Sequence, residues 1–231
     1  MSLSPEEWTT IFLSLRVALL AMLICLPIGL GLAWLLARKE FWGKSILNSL
    51  IHLPLVLPPV VTGYLLLIAF GKKGVLGAFL ENTFGLVFAF RWTGAALAAA
   101  LMALPLMVRA IRLSIESIDQ RLEGAAATLG ASPLKVFATV TLPLAAPGIL
   151  AGTILTYVKA LGEFGATITF VSNIPGQTQT LSLSIYSLLQ TPDGDAAALR
   201  LILLSITLAL AALLASELLA RRLTRRVTGT V

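Results

Sequence analysis

The sequence predicts an all-α integral membrane protein with about five membrane-spanning helices, six being the alternative. Of its 231 residues, 58% are hydrophobic and 12% are charged, whereas an ordinary soluble domain is about 45–50% apolar and about 25% charged. Crossing the hydrocarbon core takes about 20 apolar residues. Five runs without a charged residue come close to this length or exceed it, and they cover residues 17–37, 45–71, 92–108, 136–158 and 201–216. We expect them to form a single transmembrane domain spanning residues 1–231.

The first run is expected to remain in the protein as a membrane helix. A cleaved signal peptide begins with basic residues, whereas Pro5, Glu6 and Glu7 stand before this run. Pro27 within the run predicts a kink. Cys25, the single cysteine of the chain, is expected to fill space as a small apolar side chain.

The second run contains the stretch HLPLVLPPVVTGYLLL, in which Pro54, Pro58 and Pro59 predict a kinked or interrupted helix. Two interpretations stay open. The helix bends to fit its neighbours, or its broken backbone lines a conduit. Under the second interpretation Pro58, Pro59 and Thr62 are candidates for a translocation path. His52 is expected to be a packing residue, since no metal-ligating side chain stands at a suitable spacing from it.

The fourth run carries Gly148 and Gly152, a small-residue pair that predicts close approach of a neighbouring helix. Lys159 and Glu163 stand one helical turn apart near its end. We expect them to form a local ion pair, with a role in a gate or vestibule as the alternative.

Residues 164–192 carry no charge, yet 14 of them are Ser, Thr, Asn, Gln or Tyr. Such a segment is too polar to face lipid. Polar or non-helical backbone at membrane depth is tolerated only where protein buries it or water covers it. We therefore expect an outer vestibule or a short helix beside a translocation path, the alternative being an ordinary external loop. The candidates here are Glu163, Thr167, Thr169, Ser172 and Asn173.

The basic residues are unevenly distributed among the segments that connect the runs. If the N-terminus is external, eleven of the 17 Lys and Arg residues lie in cytoplasmic segments. Cytoplasmic loops carry an excess of Lys and Arg, so the asymmetry predicts an external N-terminus and a cytoplasmic C-terminus. The eleven are Arg38, Lys39, Lys44, Arg109, Arg112, Arg121, Lys135, Arg221, Arg222, Arg225 and Arg226.

The sequence offers little for an enzyme active site. With one histidine, one cysteine and no close pair of carboxylates within a run, we expect no catalytic residue, metal site or cofactor. WGKS at 42–45 resembles the end of a nucleotide-binding P-loop, but Arg38 stands where that motif requires glycine. Any ATP hydrolysis is therefore expected on another chain. Because the basic residues are scattered among loops, nucleic acid is not expected as a partner.

A semi-polar segment at about 109–136, expected in the cytoplasm, follows the third run. It contains EGAAATLGASPLKVF, in which three consecutive alanines favour a helix and allow close approach. Gly130 and Pro133 are predicted to end this helix and start a second one. Such a segment is suited to docking a soluble partner.

This segment and the residues after it resemble the loop signature of the permease subunits of binding-protein-dependent ABC importers. The signature reads E-A-A, three residues, G, nine residues, I-x-L-P. In this sequence Val140 replaces the isoleucine, and the matching positions are Ala125, Ala126, Gly130, Leu142 and Pro143. The signature glutamate falls on Gly124, whereas Glu123 stands one place earlier, so its role is left open. The resemblance implies a type I importer permease fold with an ATPase-coupling loop formed by Glu123, Ala125, Ala126, Gly130, Pro133, Leu142 and Pro143.

Three longer stretches, HLPLVLPPVVTGYLLL, MVRAIRLSIESID and LGEFGATITFVSNIPGQTQTL, are similar to the molybdate permeases of this superfamily. The resemblance implies import of molybdate or a related oxyanion such as sulfate or tungstate across a bacterial inner membrane. It also implies three protein partners: a second copy of the chain, cytoplasmic ATP-binding subunits and a periplasmic molybdate-binding protein. The alternative from another class is a membrane scaffold that docks a cytoplasmic partner without transport.

Overall fold

The computed structural model describes residues 3–228, apart from the side chains of Ser216 and of residues 219–228. Throughout the described part the secondary structure is helical, as the sequence predicts. The helices are α1 Pro5–Arg38, α2 Lys44–Val56, α3 Pro59–Phe70, α4 Val75–Phe84, α5 Trp92–Glu116, α6 Gln120–Thr128, α7 Pro133–Val136, α8 Leu142–Leu161, α9 Gly165–Val171, α10 Leu181–Leu188 and α11 Asp195–Thr228, and a π-helical turn Phe137–Thr141 joins α7 to α8.

Four continuous stretches of the described chain are long and apolar enough to cross a membrane. They are α1, α5, the stretch from α7 through α8, and α11. The predicted second span is instead a bent pair, since α2 and α3 meet at 114°. Pro58 cannot donate a backbone hydrogen bond, and Pro59 starts α3 with its fixed φ. Counted as one span, the pair brings the candidate spans of the described residues from four to five, the number that the sequence predicts.

Contacts between α1 and α5 show that these two helices run in the same direction. The Arg16 guanidinium lies 3.8 Å from the Trp92 ring centroid near one end. Midway, the Cys25 thiol donates to the Ala100 carbonyl at 3.2 Å. Helix α5 therefore begins at the opposite end of the bundle from the point where α1 finishes. The chain between them, residues 39–91, has to cross back, and it contains the bent α2–α3 pair.

The two ends of the bundle are named from these helices. The docking end is where α1 finishes and α6 lies, and the distal end is where α1 begins. Helix α2 starts at the docking end, where Arg112 donates to the Asn48 side chain at 3.0 Å. Helix α11 starts at the distal end, where Arg200 meets Glu7 at 2.9 Å. Helices α1 and α11 therefore both begin at the distal end.

Helix α5 forms the centre of the bundle, between α1 and α8. Its buried residues include many alanines, which let neighbouring backbones approach: Ala95, Ala96, Ala98, Ala99, Ala100 and Ala103. The predicted small-residue contact is present, because Gly148 and Gly152 of α8 both face Ala110 of α5. Helix α5 continues to Glu116, so residues 109–116 of the predicted loop belong to a span. The ion pair of Arg112 with Glu116, at 2.7 Å, supports this last turn.

Candidate docking and translocation sites

Helix α6 carries three of the seven predicted coupling-loop residues, Glu123, Ala125 and Ala126, and follows the end of α5. Its N-terminus is capped by Asp119, whose carboxylate accepts from the Arg121 amide at 2.9 Å. None of its residues is buried. Ala125 is exposed and Ala126 is half-buried. Helix α6 is therefore a short polar helix that lies outside the membrane-spanning bundle.

Gly130 ends this helix in a left-handed conformation, with φ of +85°. Its amide donates to the Ala127 carbonyl at 3.0 Å, and the Ala131 amide donates to the Ala126 carbonyl at 3.2 Å. A Cβ built on Gly130 would meet no atom within 4 Å. Glycine is favoured at this position because residues with a side chain adopt this backbone conformation only at a cost. Lack of space within the chain is not the reason. Pro133 then starts α7.

Glu123, whose role the signature leaves open, points back toward its own chain. Its carboxylate lies 2.9 Å from Arg38 Nε at the end of α1. The same carboxylate accepts from the Thr141 hydroxyl at 2.6 Å. One side chain of α6 thus binds both α1 and the start of α8.

Leu142 and Pro143, the last two signature residues, start α8 directly after the π-helical turn. Proline at 143 lacks an amide hydrogen, and its ring clashes with the carbonyl four residues earlier. One wider turn relieves this clash, and the Leu142 amide donates to the Phe137 carbonyl, five residues back. The π-helical turn is therefore the local consequence of Pro143 within a continuous helix.

An apolar patch lies on the outer side of this segment and was not recognised in the sequence. Leu122, Leu129 and Leu134 are 51%, 89% and 77% exposed, and we call them the docking patch. Leu122 and Leu129 lie before the candidate span that begins at Pro133, and Leu134 lies in its first turn. Their exposure among polar residues favours contact with another protein. The signal that could have found it is the presence of leucines in a segment otherwise too polar for the bilayer.

The path candidates Pro58 and Pro59 lie exposed at the bend between α2 and α3. Helix α9 packs against α3 beside this bend. A Cβ on Gly165 would lie 2.8 Å from Pro59, and a Cβ on Gly63 would lie 2.9 Å from the Thr169 side chain. The structure therefore brings Pro59 and Thr169 to one close helix contact, although they are far apart in sequence.

Thr62 and Thr167 are both buried, at 4% and 1% exposure. The Thr62 hydroxyl has no hydrogen-bond partner among the described atoms, and neither does that of Thr156 on α8. Thr62 also lines an otherwise apolar cavity of about 290 Å³ between α2, α3 and α5. Buried hydroxyls are normally paired, so these two are unsatisfied within the described part of the chain.

Glu163 joins two elements at the distal end of α8. Its carboxylate lies 2.7 Å from Lys159 Nζ and accepts from the Ala166 amide in the first turn of α9 at 3.1 Å. Only 3% of its side chain is exposed. The predicted local ion pair is present, and the carboxylate also stabilises the N-terminus of α9.

Ser172 ends α9 with φ of +65° and ψ of −169°, a conformation that is strained for any residue with a side chain. Next to it, the Asn173 amide donates to the Ser187 hydroxyl of α10 at 2.6 Å. The Ser172 carbonyl accepts from the Thr178 hydroxyl at 3.1 Å. These bonds fix the polar connection between α9 and α10, two short helices within the segment expected to form a vestibule.

A polar cavity of about 520 Å³ opens beside this connection at the distal end. Glu7, Ser184 and Arg200 are among the residues lining it. Sequence reasoning missed the pairing of Glu7 with Arg200, because 193 residues separate them. Within residues 3–228 no group of three or more His, Cys, Asp or Glu side chains lies close enough together to hold a metal ion.

Comparisons with known proteins agree with this architecture. The chain is 57% identical over 221 residues to the molybdenum transport system permease protein ModB of Escherichia coli (strain K12), covering 96% of each chain. It is 36% identical over 227 residues to the sulfate transport system permease protein CysT of Salmonella typhimurium, covering 98% of this chain and 81% of that one.

Among solved structures, a bacterial alginate ABC transporter in complex with an alginate pentasaccharide-bound periplasmic protein contains a chain of the same fold. The TM-score is 0.75 at 19% sequence identity, and the alignment covers 96% of this chain and 81% of that chain. The family model described as "Binding-protein-dependent transport system inner membrane component" matches residues 26–225. The chain therefore belongs to the family of inner membrane components of binding-protein-dependent transport systems.

Proposed function

We propose that this chain is the permease subunit of an ABC importer that carries molybdate, or a related tetrahedral oxyanion, into the cytoplasm. The observation that supports the substrate is the similarity over nearly the whole chain to a molybdenum transport permease, with the sulfate permease more distant. Energy would come from ATP hydrolysis on separate subunits. These subunits would dock on α6 and move this helix, and the spans would convert its motion into alternating access.

The ATP-binding subunits are proposed to bind the docking patch. A helix of nine residues is too short to be stable alone in water. Leu122 on this helix and Leu129 directly after it are exposed. A hydrophobic cleft on the partner would bury them and stabilise α6. This surface differs from the lipid-facing sides of the spans, because polar and charged residues surround the leucines.

A second copy of the chain is proposed to cover the bend between α2 and α3. Val56 is 80% exposed, and Pro58 and Pro59 are also exposed. Because neither proline has an amide hydrogen, carbonyl groups in the last turn of α2 lack their helical donors. Lipid cannot satisfy such groups. Two copies that face each other through their bends would enclose this backbone and leave a water-filled path between them.

The proposed path is suited to an anion that must not be held tightly. Apart from the two prolines and Glu163, its candidate side chains are hydroxyls and one amide, and the charge of the nearby Lys159 is paired with that of Glu163. A deep cationic site would retain the ion, and conduction requires weak binding along the way. A periplasmic binding protein would supply the affinity at the distal end.

The function is tested by uptake into proteoliposomes that contain the chain, its ATP-binding subunit and its periplasmic binding protein. We expect ATP-dependent accumulation of labelled molybdate, with tungstate and sulfate as competitors that rank the substrates. The chain alone should hydrolyse no ATP. A complex that binds its partners and hydrolyses ATP, yet accumulates none of the three oxyanions, would support a scaffold or another substrate instead.

The proposed orientation has an external N-terminus and a cytoplasmic C-terminus. With Cys25 replaced by alanine, we expect a cysteine at Thr83 to react with an impermeant maleimide in intact spheroplasts. A cysteine at Glu40, whose side chain is 89% exposed, should react only after permeabilisation, because it lies at the docking end. The opposite labelling pattern would reverse the topology and place α6 on the wrong side for an ATPase.

A further inference from the structure

We propose that Arg38, Glu123 and Thr141 form a coupling joint, a set of positioning residues that makes α6 move as one body with α1 and α8. This inference rests on the proposed function in one respect, that a docked ATPase moves α6. The joint is the place where that motion would enter the spans. None of its three residues belongs to the docking patch.

The geometry of the joint connects three elements through one carboxylate. Glu123 accepts from the Nε and Nη2 atoms of Arg38, both at 3.2 Å to Oε1, and from the Thr141 hydroxyl. Arg38 Nη2 also donates to the Ile118 carbonyl at 3.4 Å, in the connection between α5 and α6. Helix α6 is therefore fixed both within the helix, at Glu123, and in the connection that leads into it, at Ile118.

The joint is shielded from solvent, unlike most ion pairs at protein surfaces. The Arg38 side chain is 9% exposed and that of Glu123 is 18% exposed. Exposed pairs contribute little to stability, whereas a partly buried, fully hydrogen-bonded network fixes a geometry. The other two ion pairs described at the docking end, Glu40 with Lys44 and Arg112 with Glu116, each join residues four apart in sequence. They cannot link one helix to another.

An aromatic contact beside the ion pair joins α1 to the π-helical turn. The rings of Trp34 and Phe137 meet edge to face, with centroids 6.0 Å apart. Thr141 is the last residue of that turn, and π-helical turns concentrate at functional positions. The wider turn and the joint thus coincide, so a displacement of α6 reaches α8 at the π-helical turn and α1 at its end.

The first test separates coupling from assembly by replacing Glu123 with alanine. We expect the ATP-binding subunit to co-purify in its normal ratio, while oxyanion uptake per ATP hydrolysed falls about tenfold, the size of effect produced by removing hydrogen bonds to a charged group. Glu116→Ala, which removes an ion pair of similar length at the same end, should leave the ratio unchanged. Loss of the ATP-binding subunit from Glu123→Ala would overturn the proposal and assign Glu123 to the docking surface.

Two further variants keep the proposal testable if Glu123→Ala fails to fold. Thr141→Val removes one donor at constant shape and should lower the uptake-to-ATP ratio about threefold, since a single neutral donor contributes less. The charge exchange Arg38→Glu with Glu123→Arg should restore much of the ratio that either single change removes. A normal ratio in Thr141→Val, or no recovery in the exchange, would overturn the joint.

A distance measurement makes the result independent of the transported ion. Spin labels at Ala127 on α6 and Glu40 just after α1, in a Cys25→Ala background, should give one narrow distance in the assembled complex with and without ATP. In Glu123→Ala the distribution should broaden, and in Glu116→Ala it should not. An equally narrow distribution in Glu123→Ala would contradict the joint, whereas failure of the native complex to import any oxyanion would contradict only the proposed function.

Discussion

Replacing Gly130 with valine is expected to abolish ATP-driven uptake while the permease still inserts and dimerises. Gly130 has φ of +85°, where a β-branched side chain costs about 1–3 kcal/mol. The strain falls between Leu129 and Leu134 of the docking patch, so relieving it would move one leucine relative to the other. We expect poor co-purification of the ATP-binding subunit together with loss of uptake in the same membranes.

A pair of alanine variants separates the effect of the backbone conformation from the effect of the added side-chain volume. A Cβ on Gly124 or on Gly130 would meet nothing within 4 Å in this chain, but only Gly130 has positive φ. Gly130→Ala should therefore weaken ATPase binding more than Gly124→Ala. Normal subunit recovery and full uptake in Gly130→Val would show that this segment is not the coupling element. Loss of the permease from the membrane would indicate a folding role instead.

The spans could be predicted from sequence because the bilayer imposes a simple rule on composition. Each charge-free run of about 20 residues must be helical to satisfy its own backbone, and all five predicted runs fall on helices of the structure. The bend at Pro58 and Pro59 was predictable as an interruption, since two consecutive prolines remove donors from the helix. Its angle of 114° was not, because a bend angle also depends on contacts with elements distant in sequence, such as that of α3 with α9.

The candidate sites also contain features that local sequence predicts and features that depend on distant residues. Gly130 could be predicted as a helix end from local sequence, since its conformation depends on neighbours within four residues. The partners of Glu123 could not, because Arg38 is 85 residues away and Thr141 is 18 residues away. The docking patch was missed for a different reason. Hydropathy in a membrane protein associates leucines with lipid contact, and only the fold shows that these leucines lie before a span or in its first turn and remain exposed.

Replacing Gly148 with valine is expected to prevent α8 from packing against α5. A Cβ at this position would overlap the Ser114 side chain and lie 2.9 Å from the Ala110 carbonyl oxygen. Helix α5 cannot move aside, because its other face meets α1, where a Cβ on Gly29 would lie 2.5 Å from Met107. Overpacking of this kind costs more than about 3 kcal/mol when the backbone cannot shift, so we expect little folded permease in the membrane.

The control for Gly148→Val is the same change at Gly31, also a glycine within a membrane helix. Gly31 is exposed on α1, and a Cβ there would meet no atom within 4 Å. Gly31→Val should therefore leave the amount of permease and its thermal unfolding in detergent unchanged. If both variants reduced folded protein equally, the cause would be the loss of glycine from a helix and not the contact with α5.

A graded series places the effect at the α5–α8 contact itself. A Cβ on Gly152 would lie 3.3 Å from its nearest atoms, all on Ala110 and Met107, a distance that small shifts can accommodate. Gly152→Ala should therefore lower the unfolding temperature less than Gly148→Ala. Ser114→Gly removes the side chain that a new Cβ at 148 would overlap, so it should partly restore Gly148→Ala. The Ala110 carbonyl remains in place, and for that reason the recovery should stay incomplete. Equal unfolding temperatures for the two alanine variants would contradict this account of the packing.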